Sequence, residues 1–257
     1  MASRPALPDV VIGGAPRSGT TFVAELLGKH PGVYLARPII PEPKICLRVL
    51  QPGDAGDAAA YARVFCDAPE GSVRAEKTSN YFENAEARER LARVLPATKF
   101  VFMLREPVAR AYSNWKWSTM NGLETLPFAD AVALEGRRPN PLGPERAAAR
   151  PFDYMLRGHY GSFAAAWYET FGRDRIRFFV FEDAMRDLAS FVFDLQTWMG
   201  LDPLPWPRLQ TGRVNPSNDD AADLDPMLAA RLRAEITPEV GAFAALTGLD
   251  VSAWPIH

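Results

Sequence analysis

The sequence predicts an α/β fold, with a central parallel β-sheet flanked by helices around a P-loop-like nucleotide-binding core. Three observations point there. Short apolar runs at Val10–Gly13, Val33–Leu35, Val73–Glu76, Lys99–Leu104 and Arg175–Glu182 alternate with stretches of helical periodicity. The run KFVFML (Lys99 to Leu104) is apolar almost throughout, as a strand covered by helices on both faces must be. The first strand leads directly into GGAPRSGTTF (Gly13 to Phe22) and then a helix, the order of an anion-binding unit.

Taken in order, the helix after this loop is predicted over Thr20–His30, with Phe22, Val23, Leu26 and Leu27 on one face and Pro31 ending it. Val33–Leu35 follows as a short strand. RPIIPEPKICLRVL carries three prolines and reads as a loop before a possible helix. Residues 57–70 read as helix then turn. Asn84 caps a helix that Pro96 closes. Pro107 suits a helix start, and the helix runs over Val108–Met120. Residues 136–151 are rich in Pro and Arg and are expected to be an exposed loop. A long amphipathic helix is predicted over Phe152–Phe171 and another over Leu188–Met199. Residues 200–222 are expected to be loop, and two short helices to finish the chain. No repeat or internal boundary interrupts this order, so residues 1–257 are expected to form one domain. Its core spans 8–183, and 184–257 form a helical part that closes the nucleotide site.

Bulk properties narrow the function. The chain has 257 residues, is 47% hydrophobic and 23% charged, and carries a net charge of −2, so nothing suggests nucleic acid as a partner. Of 29 basic residues five are Lys, which leaves 24 Arg, the side chain that grips phosphate, sulfate or carboxylate in a fork. A GC-rich genome accounts for the same count. Cys46 and Cys66 form no metal pattern and suit a reducing compartment. No apolar stretch approaches the roughly 18 residues of a membrane span, and the first residues contain no apolar signal core. The expected location is cytoplasmic.

In the loop, Gly14, Gly19 and Thr21 fit the frame G-x-x-x-x-G-K-[ST], but Thr20 occupies the Lys position and Arg17 sits early. Without that Lys, and with Leu104-Arg105 rather than an acidic residue ending the central strand, triphosphate hydrolysis lacks its usual charges. The glycines also fit a turn that merely tightens packing. A second segment, FVFMLREPVARAYSNW, sets Arg105 at a strand tip and Ser113 near the second turn of the next helix. A guanidinium and a hydroxyl so placed can hold a second phosphate.

Four segments together resemble the sulfotransferases that use 3′-phosphoadenosine 5′-phosphosulfate (PAPS). APRSGTTF is similar to their 5′-phosphosulfate loop, and LREPVARAYSNW to their 3′-phosphate motif. AEKTSNYF (Ala75 to Phe82) resembles E-K-[ST]-P-x-Y-[FL] of the heparan-sulfate-type and related bacterial branch, and LRGHYGSFAAAWYETFGRDRIRFFVFED resembles a further stretch of that branch. The likeness runs from about Val10 to Asp183. It implies a P-loop-like core without a metal. Arg17, Ser18, Gly19, Thr20, Thr21 and Phe22 would hold the 5′ end, Arg105 and Ser113 the 3′-phosphate. Gly212 and Arg213 in TGRVNPSN fall where the family places a loop over the nucleotide, though without its usual spelling.

Transfer of a sulfuryl group needs a base on the acceptor and cations at the leaving phosphate. The resemblance points to Glu42 as base, in a loop where related sequences carry K-E-P-H-F-F and this one has Glu42-Pro43-Lys44-Ile45-Cys46. Arg17 cannot donate a proton and can only stabilise charge, so Lys77 is the expected second cation. Lys44 places a positive charge near Glu42 or the acceptor. Trp115 and Trp117 face different sides of their helix, one toward core and the other, taken as Trp117, toward the acceptor. His159, read as lying on the long helix, is the alternative base or an acceptor contact; His30 is expected only to end a helix. Neither has partners at metal spacing, so no metal is expected. The acceptor is expected to be a small molecule or carbohydrate with a hydroxyl, less readily an amine. A P-loop kinase or NTPase with a degenerate loop, and a non-catalytic nucleotide-binding module, remain the alternatives.

Overall fold

The computed structural model describes residues 6–52, 54, 56–205 and 224–255. Among the described residues the sheet has five strands, β1 (Val10–Gly14), β2 (Val33–Leu35), β3 (Val73–Lys77), β4 (Lys99–Leu104) and β5 (Ile176–Val180), in the order β2-β3-β1-β4-β5. Every neighbouring pair is parallel, and Val10 faces Ala75 on one side and Lys99 on the other. The predicted α/β class and parallel sheet are therefore found.

Alternation along the central strands feeds two apolar layers. Val11, Phe100, Phe102 and Leu104 face a core with Trp167, Phe171, Phe178 and Phe243, whose rings meet edge-on, tilted or stacked. Val10, Ile12, Val101 and Met103 face the other layer, with Leu26, Phe191 and Leu195. The second layer is covered by α1 (Thr20–Leu27) and α8 (Leu188–Met199). The first is covered by α2 (Gly56–Val64), α3 (Ala85–Val94), α6 (Tyr160–Phe171) and α9 (Pro226–Thr247), and α4 (Pro107–Met120), α5 (Phe128–Ala133) and α7 (Phe181–Arg186) complete the helices.

Capping chemistry sets the boundaries the sequence marked. The Asn84 side chain accepts the N–H of Ala87 at 2.8 Å, and the Glu106 carboxylate accepts those of Val108 and Ala109 ahead of α4, with Pro107 as its first residue.

Three expectations need correction. The first helix stops at Leu27, not His30, because its bonds tighten there: the N–H groups of Lys29 and His30 reach the carbonyls of Leu26 and Leu27, three residues back. The His30 ring is then buried, accepting the N–H of Gly32 at Nδ1 and meeting the Asp202 carbonyl through Nε2. The long helix predicted from Phe152 begins only at Tyr160. The N–H groups of Met155 and Leu156 are donated to the Glu135 carboxylate, so this stretch turns irregularly, with a short 3₁₀ turn at Leu156–Gly158. The expected pair of terminal helices is one helix, Pro226–Thr247, that runs through Pro238. Its buried stripe Ala229, Leu232, Ile236, Val240 and Phe243 keeps helical spacing across the proline, which outweighs the lost hydrogen bond. The Arg-rich loop is largely exposed, as expected, but not all of its charges are solvated. Arg138 forks onto the buried Glu124 at 2.9 and 2.6 Å, and Arg157, beyond the loop, pairs with Glu83 at 3.0 Å.

Glycine is required where the first strand enters its loop. A Cβ on Gly14 would stand 2.6 Å from the Cβ of Phe82 and 3.0 Å from the carbonyl of Ser79. Gly14→Ala is expected to cost about 1–3 kcal/mol by overpacking, whereas Gly241→Ala, in open space within α9, should gain about 0.5–1 kcal/mol. Denaturant unfolding of the two variants reads both signs. Glu124 gives a pH test. Burial pushes its carboxyl up, but the Arg138 fork, the Tyr154 hydroxyl and the Leu126 N–H outweigh that and hold it at about 2. Its contribution is present above the usual carboxylate range and lost as pH falls from about 4.5 to about 2. Wild type should lead Glu124→Gln by about 3 kcal/mol at pH 7 and by little near pH 2 in acid-unfolding titrations.

Candidate active site

Because β1 lies between β3 and β4, the loop after β1 is flanked by the residues that end its two neighbours. Residues 15–19 carry the chain from β1 to α1. Arg17 is left-handed at φ 68°, and Gly19 caps α1 at φ 81°. The start of α1 presents its positive end here.

Lys77, the last residue of β3, reaches across to this loop. Its Nζ donates to Thr21 Oγ1 at 3.0 Å and pairs with Glu42 Oε1 at 2.8 Å. Both partners are largely shielded, with Lys77 5% and Glu42 11% exposed in their side chains. Ser79 adds two donors to the same carboxylate oxygen, its N–H at 3.2 Å and its hydroxyl at 2.7 Å. Three donors thus converge on Oε1. Among the described residues none is recorded on Oε2, and Glu42 lines a cavity of about 250 Å³.

The cavity wall joins segments that the sequence analysis treated separately. Arg17, Thr20 and Thr21 come from the loop, Glu42 and Lys44 from the proline-rich segment, Lys77 and Ser79 from the end of β3, and Trp117 from α4. Trp115 instead donates its indole N–H to Leu126 and stacks with Tyr112. Lys44 is left-handed at φ 51°, and its backbone N–H is tied to Thr78 Oγ1 at 3.1 Å.

Ser113, buried on α4, accepts a hydrogen bond from Arg17 Nε at 3.1 Å, which links the two expected phosphate subsites. Arg105 follows β4 directly. Its guanidinium lies 5.5 Å from the centre of the Phe181 ring, and its carbonyl accepts from Tyr160. Phe22 packs on the second apolar layer. His159 immediately precedes α6 rather than lying on it, and it is not among the described residues lining the cavity; Arg157 is. Gly212 and Arg213 lie outside the described residues.

The loop suits a phosphate-like group. Ser18 is fully buried, and its Oγ lacks a partner among the described residues, while Thr20 and Thr21 bring hydroxyls and Arg17 a fixed charge. Ser79, Asn80 and Asn114 also line the cavity and went unnoticed in the sequence. Ser79 had a signal, two residues after Lys77 in the AEKTSNYF segment. Asn114 adjoins Ser113 but carries no local mark of its orientation.

Comparison with known proteins agrees with this geometry. The sulfotransferase domain family model matches residues 7–208. Human heparan sulfate glucosamine 3-O-sulfotransferase 6 is 29% identical over 194 residues, which is 76% of this chain and 52% of that protein. The chain therefore spans about half the length of that curated relative. A crystal structure of a sulfotransferase from Alicyclobacillus acidocaldarius superposes with a TM-score of 0.76 at 25% identity, covering 97% of this chain and 99% of the other. Mouse sulfotransferase SULT7A1 complexed with PAP shares the fold, with a TM-score of 0.57 at 15% identity over 96% and 91% of the two chains. The chain belongs to the sulfotransferase domain family.

Proposed function

We propose that the protein transfers a sulfuryl group from PAPS to an acceptor hydroxyl, less readily to an amine, and releases 3′-phosphoadenosine 5′-phosphate (PAP). One observation carries the reading. Glu42 is fixed through a single oxygen by Lys77 and Ser79, and it lines the same cavity as the phosphate-type loop. A carboxylate so held can take the acceptor's proton on its other oxygen without moving. Arg17, Ser18, Gly19, Thr20 and Thr21 would cradle the 5′ end, with Phe22 backing the loop from the apolar layer. Arg105 and Ser113 would hold the 3′-phosphate, joined by Gly212 and Arg213.

Arg17 and Lys77 face the charge that grows on the leaving phosphate oxygen, so the reading calls on these cations and not on a metal ion. Lys77 bridges both halves of the reaction, since it touches the loop hydroxyl of Thr21 and the base. Trp117 and Lys44 are assigned to the acceptor; His159 is left with a peripheral part at most. The heparan sulfate relatives support a carbohydrate acceptor, and the modest cavity equally supports a small molecule. No helix among the described residues is long and apolar enough to cross a membrane. The two free cysteines support a cytoplasmic site of action. A triphosphate kinase is disfavoured by Thr20 where that chemistry needs Lys.

Calorimetry with PAP and with ATP tests the nucleotide. PAP should bind more tightly, and Arg105→Ala should lose about 1.5–3 kcal/mol, roughly ten- to a hundredfold in Kd. Tighter ATP binding, or an Arg105→Ala protein with unchanged Kd, refutes it. Transfer of radiolabelled sulfate from PAPS to N-sulfated heparosan oligosaccharides and to p-nitrophenol tests the chemistry. Glu42→Gln should slow transfer by about a hundredfold or more while PAP binding stays within about twofold. Normal turnover in that variant would move the base elsewhere.

A further inference from the structure

Beneath the Glu42–Lys77 pair lies a buried polar cluster to which the reaction above assigns no part. Glu76 is fully buried. Its Oε1 accepts from the Tyr61 hydroxyl at 2.9 Å and its Oε2 from the Thr78 hydroxyl at 3.4 Å, and the Tyr81 hydroxyl lies 3.3 Å from that of Tyr61. Two of these hydroxyls have a second task. Thr78 Oγ1 receives the N–H of Lys44 at 3.1 Å, and the Tyr81 hydroxyl receives the N–H of Cys46 at 3.2 Å. Both amides belong to the turn that leaves Glu42.

A hydroxyl has one proton. Thr78 and Tyr61 give theirs to the carboxylate, and Tyr81 then gives its own to Tyr61, so only lone pairs remain on Thr78 and Tyr81 to meet the two N–H groups. An ionised Glu76 therefore dictates the direction of both hydrogen bonds. An amide or a protonated carboxyl in its place presents a donor of its own, and one of the hydroxyls must then turn its proton toward a backbone N–H.

We infer that Glu76 is a positioning residue for the reaction: through Thr78, and through Tyr61 to Tyr81, its carboxylate fixes the Lys44–Cys46 turn and so the placing of Glu42. This rests on the reading of Glu42 as base. The groups facing Glu76 leave it as the one that switches near neutrality. Burial pushes the thiol of Cys46 and the hydroxyls of Tyr61 and Tyr81 upward, so all three stay neutral, and Glu42 lies beyond them as a like charge. Burial also raises Glu76 itself, to about 7, against the pull of the hydroxyls around it. The arrangement is complete above that pH and loosens below it.

Hydrogen exchange reads the turn directly and needs no acceptor. In Glu76→Gln the amides of Lys44 and Cys46 should exchange about tenfold or more faster than in wild type, while β4 keeps its protection. In wild type, protection of the same amides, corrected for intrinsic rate, should fall as pH drops from 8 to 6, and the Gln variant should lack that step. In the sulfate-transfer assay kcat should fall about ten- to a hundredfold with PAP affinity unchanged. Thr78→Ser should retain the rate and Thr78→Val lose it. Unchanged exchange in both Glu76→Gln and Thr78→Val overturns the inference, as does a loss of protection that spreads equally to β4. If Glu76→Gln does not fold, Thr78→Val and Tyr81→Phe each cut one link and decide the matter. Failure of PAP to bind would count against the nucleotide reading alone and leave the exchange result standing.

Discussion

The ammonium of Lys77 is the point on which the rest of the site depends. It donates to Thr21 at the head of α1 and pairs with Glu42 on the proline-rich loop, so one cation ties together two segments that both precede it in the chain. A buried ion pair is a poor source of stability, because removing both charges from water costs about as much as their attraction returns. Its worth lies in geometry. The pair and the two Ser79 donors leave the carboxylate one orientation, and an orientation fixed beforehand need not be found during the reaction.

That junction is possible only because of strand order. With β1 between β3 and β4, the residues ending three parallel strands emerge side by side at one edge of the sheet. Lys77 ends β3, the loop ends β1, and Arg105 follows β4. The apolar layers hold this register, since β1 and β4 send alternate side chains into opposite cores and a slip of one residue would exchange them. The geometry of the candidate site therefore rests on the packing of Phe100, Phe102 and Trp167 as much as on the polar residues.

The parts of the site legible in sequence are those written locally. The loop, Arg105 and its helix, Lys77 and the strand pattern each occupy a short segment whose spacing carries its meaning. What was not legible depends on distant partners. Glu135 captures the N–H groups of Met155 and Leu156 and delays α6, and no pattern near residue 155 announces a carboxylate twenty residues earlier. The same displacement moves His159 off the helix and leaves Arg157, not His159, at the cavity wall. Ser79 was readable as part of a motif but not as the donor that selects one oxygen of Glu42. The single final helix was not legible because Pro238 is a strong local breaker, whereas the stripe that overrides it spans fifteen positions, from Ala229 to Phe243.

Glu182 connects distant parts of the chain. Its Oε1 accepts the N–H of Glu106, whose own side chain caps α4, and its Oε2 accepts the indole N–H of Trp254 at 2.7 Å. The turn carrying Arg105 is thus oriented by a carboxylate that is itself oriented by an indole 72 positions later in the chain. During synthesis on the ribosome, Arg105 emerges long before Trp254. The strands β1 to β4 can pair early, but the full set of bonds around the Arg105 turn waits for the closing segment, so a complete Arg105 turn reports that the polypeptide has been made through residue 254.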